Sequence, residues 1–258
     1  MKCSNKRQLK AIIRVALFSM AFNITAVSSG RADPVQDPPA ETPQETAANA
    51  QHISLLRNEK FAQLDGEMNQ IQRDYESGQR DDINLAHLFR AFYDTDPALE
   101  DKFKRWLQTF PRSYAAYEAQ GIYFRRVGFQ ARGTRFGIET TAAQFNELQK
   151  NLNLAMKSHQ TALSLTKKPM LTYYDILSIA KLAGDRDTAN RMLELANKSD
   201  PKNYIVRYKY MLMLESRWGG SLEAMKRFRV DAENAGLPDR QLKYFDELIS
   251  DEMRWTQH

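Results

Sequence analysis

The feature that most constrains the fold is a three-position pattern that recurs every 34 to 35 residues in the second half of the chain. The pattern occupies Ala155, His159 and Ala162, then Ala189, Leu193 and Ala196, and then Ala224, Phe228 and Asp231. A period of about 34 residues is typical of arrays in which each pair of helices buries its apolar face against neighbouring pairs. The pattern therefore predicts an all-α chain built from helical hairpins.

Prolines and one glycine support the same interpretation. Pro111 follows three large apolar residues at the intervals that separate Pro201 from the second triplet: Leu99, Phe103 and Trp106. A proline is tolerated in the first turn of a helix, where its missing N–H has no partner to lose. Gly121 lies between aromatic residues on one predicted helix, where a small residue allows a second helix to approach closely.

These residues resemble the tetratricopeptide repeat. The resemblance covers about residues 97–235 and is strongest over 170–203. It implies a right-handed array of antiparallel helical hairpins, here about three degenerate ones. The chain departs from the pattern at Asp231, which replaces a small residue, and between Arg125 and Gln144, which we interpret as an insertion. Residues 131–133 and 218–221 are similar to a bacterial family of uncharacterised repeat-like domains, and that similarity implies no activity.

The first 32 residues are typical of a signal peptide. A basic start precedes an apolar stretch over residues 11–27, which Arg14 and Asn23 interrupt, and small residues precede a plausible cleavage site before Asp33. A membrane anchor needs about 20 apolar residues, so cleavage is favoured over a stable membrane span. We expect the protein to be exported and to be periplasmic or secreted.

Removal of this segment changes the charge of the chain. It holds six basic residues and no acid, so 31 basic residues remain against 32 acidic ones and the formal net charge falls from +5 to −1. The composition therefore gives no argument for a nucleic-acid partner. The same cleavage removes Cys3, the only cysteine, so burial alone must hold the exported domain together.

The remaining chain divides into a linker and a helical domain. Residues 33–50 are rich in proline, alanine, threonine and acids, and they predict a flexible linker. Residues 51–258 predict the folded domain, with an N-terminal helical pair over 51–96, degenerate repeats over 97–235 and a capping helix over 238–256. The capping helix carries Leu242, Phe245, Leu248, Ile249 and Trp255.

The sequence predicts no catalytic, cofactor or metal site. The four histidines are scattered, without metal-ligand spacing, and the nucleophile-elbow and phosphate-loop patterns do not occur. His159 occupies a helix contact position and predicts a packed, hydrogen-bonded core histidine. The glycines before Ser221 predict a turn followed by a helix cap. A weaker alternative is an enzyme with an unrecognised site in the non-repeat segments, and buried carboxylates with strongly shifted pKa values, clustered in one cleft, would support it.

Two sets of residues are candidates for binding. Arg125, Arg126, Arg132 and Arg135 lie within 13 residues that hold no acid, so a loop there could bind an anionic ligand or cell-envelope polymer, or could simply pair with neighbouring acids. The repeat resemblance implies that the first helix of each hairpin lines a concave face. Its exposed positions would be Tyr174, Ser178, Lys181, Tyr208 and Lys209, a composition that suits a protein or peptide partner. The leading hypothesis is a non-enzymatic binding module.

Overall fold

A computed structural model describes residues 39–133 and 140–256, and within these ranges the chain is helical without any β-strand. Eleven α-helices are described: α1 Pro43–Arg57, α2 Phe61–Glu76, α3 Asp82–Phe89, α4 Leu99–Thr109, α5 Tyr114–Arg132, α6 Ala142–Ala162, α7 Met170–Ala183, α8 Arg186–Ser199, α9 Ile205–Met213, α10 Leu222–Asn234 and α11 Asp239–Trp255. Single 3-10 turns follow α3 and α9. The all-α prediction is confirmed, and the succession of helical pairs is compatible with a repeat array. The hand of the array stays a prediction.

The first helix begins inside the segment that the sequence predicts to be a flexible linker. Thr42 and Glu45 form a capping box, in which the Glu45 amide donates to Thr42 Oγ1 and the Thr42 amide donates to the Glu45 carboxylate. Pro43 occupies the first helical position, where its missing N–H costs nothing. The linker prediction is therefore wrong from Pro43 onward. The predicted signal peptide and residues 33–38 lie outside the described residues.

The repeated triplets lie in the second helix of successive hairpins, but their register differs slightly from the predicted one. The buried positions are Ala155, Ser158 and Ala162 in α6, Ala189, Met192 and Ala196 in α8, and Met225, Phe228 and Ala232 in α10. His159 is also buried in α6, whereas Asp231 is exposed in α10 because Ala232 takes the inward position. The first buried positions of the three units, Ala155, Ala189 and Met225, are thus 34 and 36 residues apart.

Among the described residues of the predicted insertion, most belong to two long helices. α5 has 19 residues and α6 has 21, whereas α7 and α8 have 14 each. Arg125, Arg126 and Arg132 belong to α5, so their prediction as loop residues is wrong. Val127 and Phe129, near the end of α5, pack against the core, so the helix continues through this part of the chain. Arg135 lies between the two described ranges, outside the described residues.

The predicted turns have the expected geometry, and a final helix occupies the segment that the sequence predicts to cap the array. Gly184 adopts a left-handed conformation after α7, and the Asp185 side chain caps α8. Ser221 caps α10, and a Cβ on Gly220 would collide with the backbone of Leu214. Leu242, Phe245 and Leu248 of α11 are buried, and Ile249 packs against the same core. Trp255, at the end of α11, is 62% exposed. No described helix is long and apolar enough to cross a membrane.

Candidate functional site

The strongest constellation of ionisable groups lies inside the helical body. Glu118 of α5, His159 of α6 and Asp175 of α7 each place a potential ligand or proton-transfer atom within 4.8 Å of the other two, and all three residues are completely buried. His159 Nδ1 is 3.1 Å from Glu118 Oε2, and the Thr172 hydroxyl donates to the same oxygen at 2.7 Å. The cluster therefore connects three helices of two successive hairpins.

Gly121 makes room for this cluster. A Cβ at position 121 would lie 2.7 Å from both ring nitrogens of His159, far inside contact distance. The imidazole consequently rests against the backbone of α5, one turn beyond Glu118. The predictions of a close helix approach at Gly121 and of a packed, hydrogen-bonded His159 are both confirmed.

A buried ion pair completes the cluster. Arg125 Nη2 is 2.7 Å from Asp175 Oδ1, and both side chains are 1% exposed. Burial raises the pKa of Asp175 and of Glu118 to about 7, although Arg125 acts in the opposite direction on both. The two carboxyl groups face each other across the cluster, and Asp175 counts among the influences on the pKa of Glu118. Burial lowers the pKa of His159 to about 4, so its ring is neutral at pH 7.

The residue types of the cluster suit a metal, but their arrangement does not. Glutamate, histidine and aspartate are common ligands of divalent cations. Here the Arg125 guanidinium already contacts Asp175 and supplies the positive charge that a metal would bring. A divalent cation would have to displace Arg125 into a region with no exposed surface. The residues therefore fit an internal ion-pair network better than a metal centre.

The same burial argues against acid–base catalysis at this cluster. The carboxylates are clustered and their pKa values are strongly raised, as an enzyme would require. However, Glu118, His159 and Asp175 are all 0% exposed, so a substrate could reach them only if the helices separated. The cluster thus has the shifted carboxyl pKa values expected of an enzyme site, but it does not lie in a cleft that a substrate can enter.

The residues predicted to line a concave face are mostly buried. Tyr174 is 1% exposed, and Ser178, Tyr208 and Lys209 are 6–7% exposed, whereas Lys181 is half-buried. The predicted exposure is therefore wrong for four of the five. The physical reason is that the lysines contact aromatic rings of the same chain. Lys209 Nζ is 4.8 Å from the centre of the Tyr174 ring, and Lys181 Nζ is 4.6 Å from that of Trp218.

The arginines are likewise occupied within the chain. Arg125 is committed to Asp175, and the Arg126 guanidinium lies 4.6 Å from the centre of the Tyr93 ring. Arg132 is 5% exposed, and burial lowers its pKa. The structure thus brings these three residues to one side of the α5 hairpin but not to an open anion site. A ligand-binding role for them stays a prediction.

An open groove lies at the other end of the chain, between α1, α2 and α3. Its volume is about 680 Å³. Ala48, Ile71 and Leu88 contribute apolar surface. Polar and charged side chains supply most of the remaining wall: Thr42, Gln44, Glu45, His52, Glu67, Gln70, Asp74, Arg80 and Asn84. With nine polar or charged side chains and three apolar ones, this lining is more polar than that of most small-molecule pockets.

Gly66 occupies an unusual place in the groove wall. It lies in the middle of α2 and is exposed, and a Cβ on it would meet no atom within 4 Å. Glycine in a helix interior is about 1 kcal/mol less favourable than alanine. Packing within the chain therefore does not require glycine at this position, and its absent side chain widens the groove.

Hydrogen bonds fix the inner side of the groove. The Glu45 carboxylate accepts from Asn84 Nδ2 at 2.5 Å and contacts His87 Nδ1 at 2.9 Å. Burial alone would raise the pKa of Glu45, but the bonds from Thr42, His87 and Asn84 outweigh it and lower the pKa. Burial lowers the pKa of His52, so its ring is neutral at pH 7. Glu45 is thus a structural anion that holds α1 against α3.

The sequence matches the family described as Domain of unknown function (DUF4034) over residues 48–193. The chain belongs to this family. No curated protein and no solved structure matches the chain. The match spans α1 to α8 and includes the buried cluster and most of the groove wall.

Sequence reasoning missed both of these features of the DUF4034 region. Glu118 and Asp175 lie among apolar residues in α5 and α7. A charged residue at an inward-facing position of a helix was the sequence signal that could have predicted the buried cluster. The groove was hidden because the first half of α1, which supplies Gln44, Glu45 and Ala48 to the wall, was interpreted as a linker. The signals for it were the Thr42–Glu45 capping pattern and the glycine within the α2 period.

Proposed function

We propose that this DUF4034 protein is a non-enzymatic binding module, and that the groove between α1, α2 and α3 receives a segment of a protein or peptide partner. The observation that supports the proposal is the empty space beside Gly66 on the groove wall. A helix-weakening residue lies on the wall of an open groove, and no neighbouring side chain fills the space beside it. Glycine without a packing role in a helix allows close approach of another backbone.

We also propose that the protein works outside the cytoplasm. The basic start, the interrupted apolar stretch and the small residues before Asp33 support export to the periplasm or beyond. Cell fractionation followed by intact-mass measurement tests this proposal. Export with cleavage gives an envelope or secreted species that begins at Asp33, whereas a cytosolic species that retains Met1 contradicts it.

The binding proposal is tested by site-specific photo-crosslinking in cells that make the full-length chain. Gln70, on the groove wall, is replaced by p-benzoylphenylalanine. The matched control places the same photoreactive residue at Lys243, which is exposed on α11. A partner segment that crosslinks at the groove position and not at the control, and that peptide mass spectrometry identifies, supports the proposal. Equal crosslinking at both positions, or none at the groove, contradicts it.

The two alternative functions have less support. An anionic-polymer binder would need accessible arginines, but Arg125 lies in a buried ion pair and Arg126 stacks on Tyr93. An enzyme would need access to Glu118 and Asp175, which have no exposed surface. The groove is open without any rearrangement, and this favours the binding module.

A further inference from the structure

The charges of the groove point to the chemistry of its occupant. Resting on the proposed binding function, we propose that the groove receives a cationic peptide segment, with a lysine or arginine side chain of the partner paired to Glu67. Three carboxylates lie on the groove wall, those of Glu45, Glu67 and Asp74. Arg80 is the only lysine or arginine among the described residues of that wall.

Glu67 is the carboxylate best placed to accept a cation. Its oxygens accept from Gln63 Nε2 at 2.9 Å and from Gln51 Nε2 at 3.3 Å, and both donors are neutral amides. Its imidazole neighbour, His52, is 3.5 Å away and neutral at pH 7, since burial lowers the His52 pKa. Within residues 39–133 and 140–256, no ammonium or guanidinium group forms an ion pair with Glu67. Its side chain is 34% exposed, so an incoming cation can reach it.

Asp74 extends the negative surface along α2. It accepts from Gln70 Nε2 at 2.7 Å and forms an ion pair with Arg80 at 3.5 Å, so a partner cation at this position would share the carboxylate with Arg80. Glu67 and Asp74 are seven positions apart, which places their backbones about 10 Å apart along the helix. A peptide in the polyproline II conformation has three residues per turn and rises about 3.1 Å per residue, so its residues i and i+3 lie on the same side, about 9 Å apart. The groove therefore suits two basic residues separated by two others.

Apolar surface within the groove complements the aliphatic part of such a ligand. Ile71 lies between the two carboxylates on α2, and Ala48 and Leu88 contribute from α1 and α3. Lysine and arginine place their methylene stems on apolar surface while the charged end contacts an acid. Gly66 leaves room beside Glu67 for the peptide backbone. The carboxylates, the apolar surface and the gap at Gly66 thus favour one class of ligand.

The test is a peptide titration of the exported chain, residues 33–258, followed by NMR. The probe is the blocked peptide Leu-Lys-Ala-Leu-Lys-Ala, with versions that carry glutamine or glutamate in place of both lysines. We expect the lysine peptide to shift the amide signals of Gly66, Glu67 and Gln70, and the glutamine peptide to bind at least roughly fivefold more weakly, as expected for a partly exposed ion pair. Added salt should weaken the binding of the lysine peptide more than that of the glutamine peptide.

Two variants link the binding to the proposed contact. Glu67→Gln removes the charge without changing the shape of the side chain, and it should weaken the binding of the lysine peptide roughly fivefold. Glu247→Gln makes the same charge change at an exposed position of α11 and should leave binding unaltered. If lysine and glutamine peptides bind the groove equally, the cationic inference fails while the binding module stands. If the lysine peptide shifts only signals outside the groove, or none, the inference also fails, and photo-crosslinking decides the binding module separately.

Discussion

Gly66 and Gly121 both lie in helix interiors, but they differ in what surrounds the missing side chain. At Gly121 the space is filled by the His159 ring, whereas at Gly66 it is empty. The first glycine is required by the packing of α5 on α6. The second weakens α2 without any compensating contact in the chain. The same residue type therefore has a structural role at one position and a proposed functional role at the other.

We expect Gly121→Ala to destabilise the protein and Gly66→Ala to stabilise it. The added methyl group at position 121 would overlap the imidazole and should cost about 1–3 kcal/mol of the free energy of unfolding. At position 66 the methyl group meets nothing, and helix propensity should add up to about 1 kcal/mol. Urea denaturation followed by circular dichroism measures both. Equal effects of the two substitutions would refute the distinction.

At the scale of helices, α3 and α9 are joined by an interaction that repeat periodicity does not predict. Asp82, the first residue of α3, is buried and accepts hydrogen bonds from the Tyr204 and Ile205 amides, at 2.5 and 3.0 Å. These amides lie at the start of α9, where backbone N–H groups lack partners within the helix. A residue of the N-terminal helices thus caps a helix that begins more than a hundred residues later.

Replacing Asp82 should loosen the beginning of α9. Asp82→Ala leaves two buried amides without acceptors and should lower the free energy of unfolding by about 1–3 kcal/mol. Asp82→Asn keeps a side-chain oxygen and should cost less. Hydrogen exchange at Tyr204 and Ile205 provides the local readout, and we expect it to accelerate most in the alanine variant. Unchanged exchange at both amides would mean that the contact does not hold α9.

For the molecule as a whole, the buried carboxyls should make stability depend on pH. Burial raises the pKa of Glu118 from 4.5 to about 7, so the folded state holds a proton that the unfolded state releases. This contribution is fully present below about pH 4.5 and is lost as pH rises through about 7. His159 acts in the opposite direction between about pH 4 and 6.5, because its pKa is lowered.

Glu118→Gln isolates the carboxyl contribution. Glutamine cannot ionise, so the stability of the unsubstituted protein relative to the variant should fall between pH 5 and pH 8. The scale is about 1.4 kcal/mol for each unit by which the folded and unfolded pKa values differ. Urea denaturation at several pH values measures this difference, with the exposed Glu247→Gln as a control that should show no trend. A difference that grows with pH would contradict the assignment.

The sequence predicted the helical class, several turns and the core position of His159, because these follow from local spacing. It could not predict that α7 has no exposed face over Met170–Ala180, because the polar residues Thr172, Asp175 and Ser178 are buried there as well. The pairing of Lys209 with Tyr174 depends on how α7 meets α9, which periodicity does not specify. The groove likewise requires three helices in their folded arrangement.

The Asp82 contact has a consequence for the order in which the chain folds. Asp82 precedes Tyr204 by 122 residues, so it leaves the ribosome well before the amides that it caps. At a synthesis rate of about 5–20 residues per second, the delay is roughly 6–25 s. During that interval α3 exposes a carboxylate where the finished protein has a buried one. Closure of α9 onto Asp82 is therefore a late step, one that the nascent chain reaches only after most of its helices have emerged.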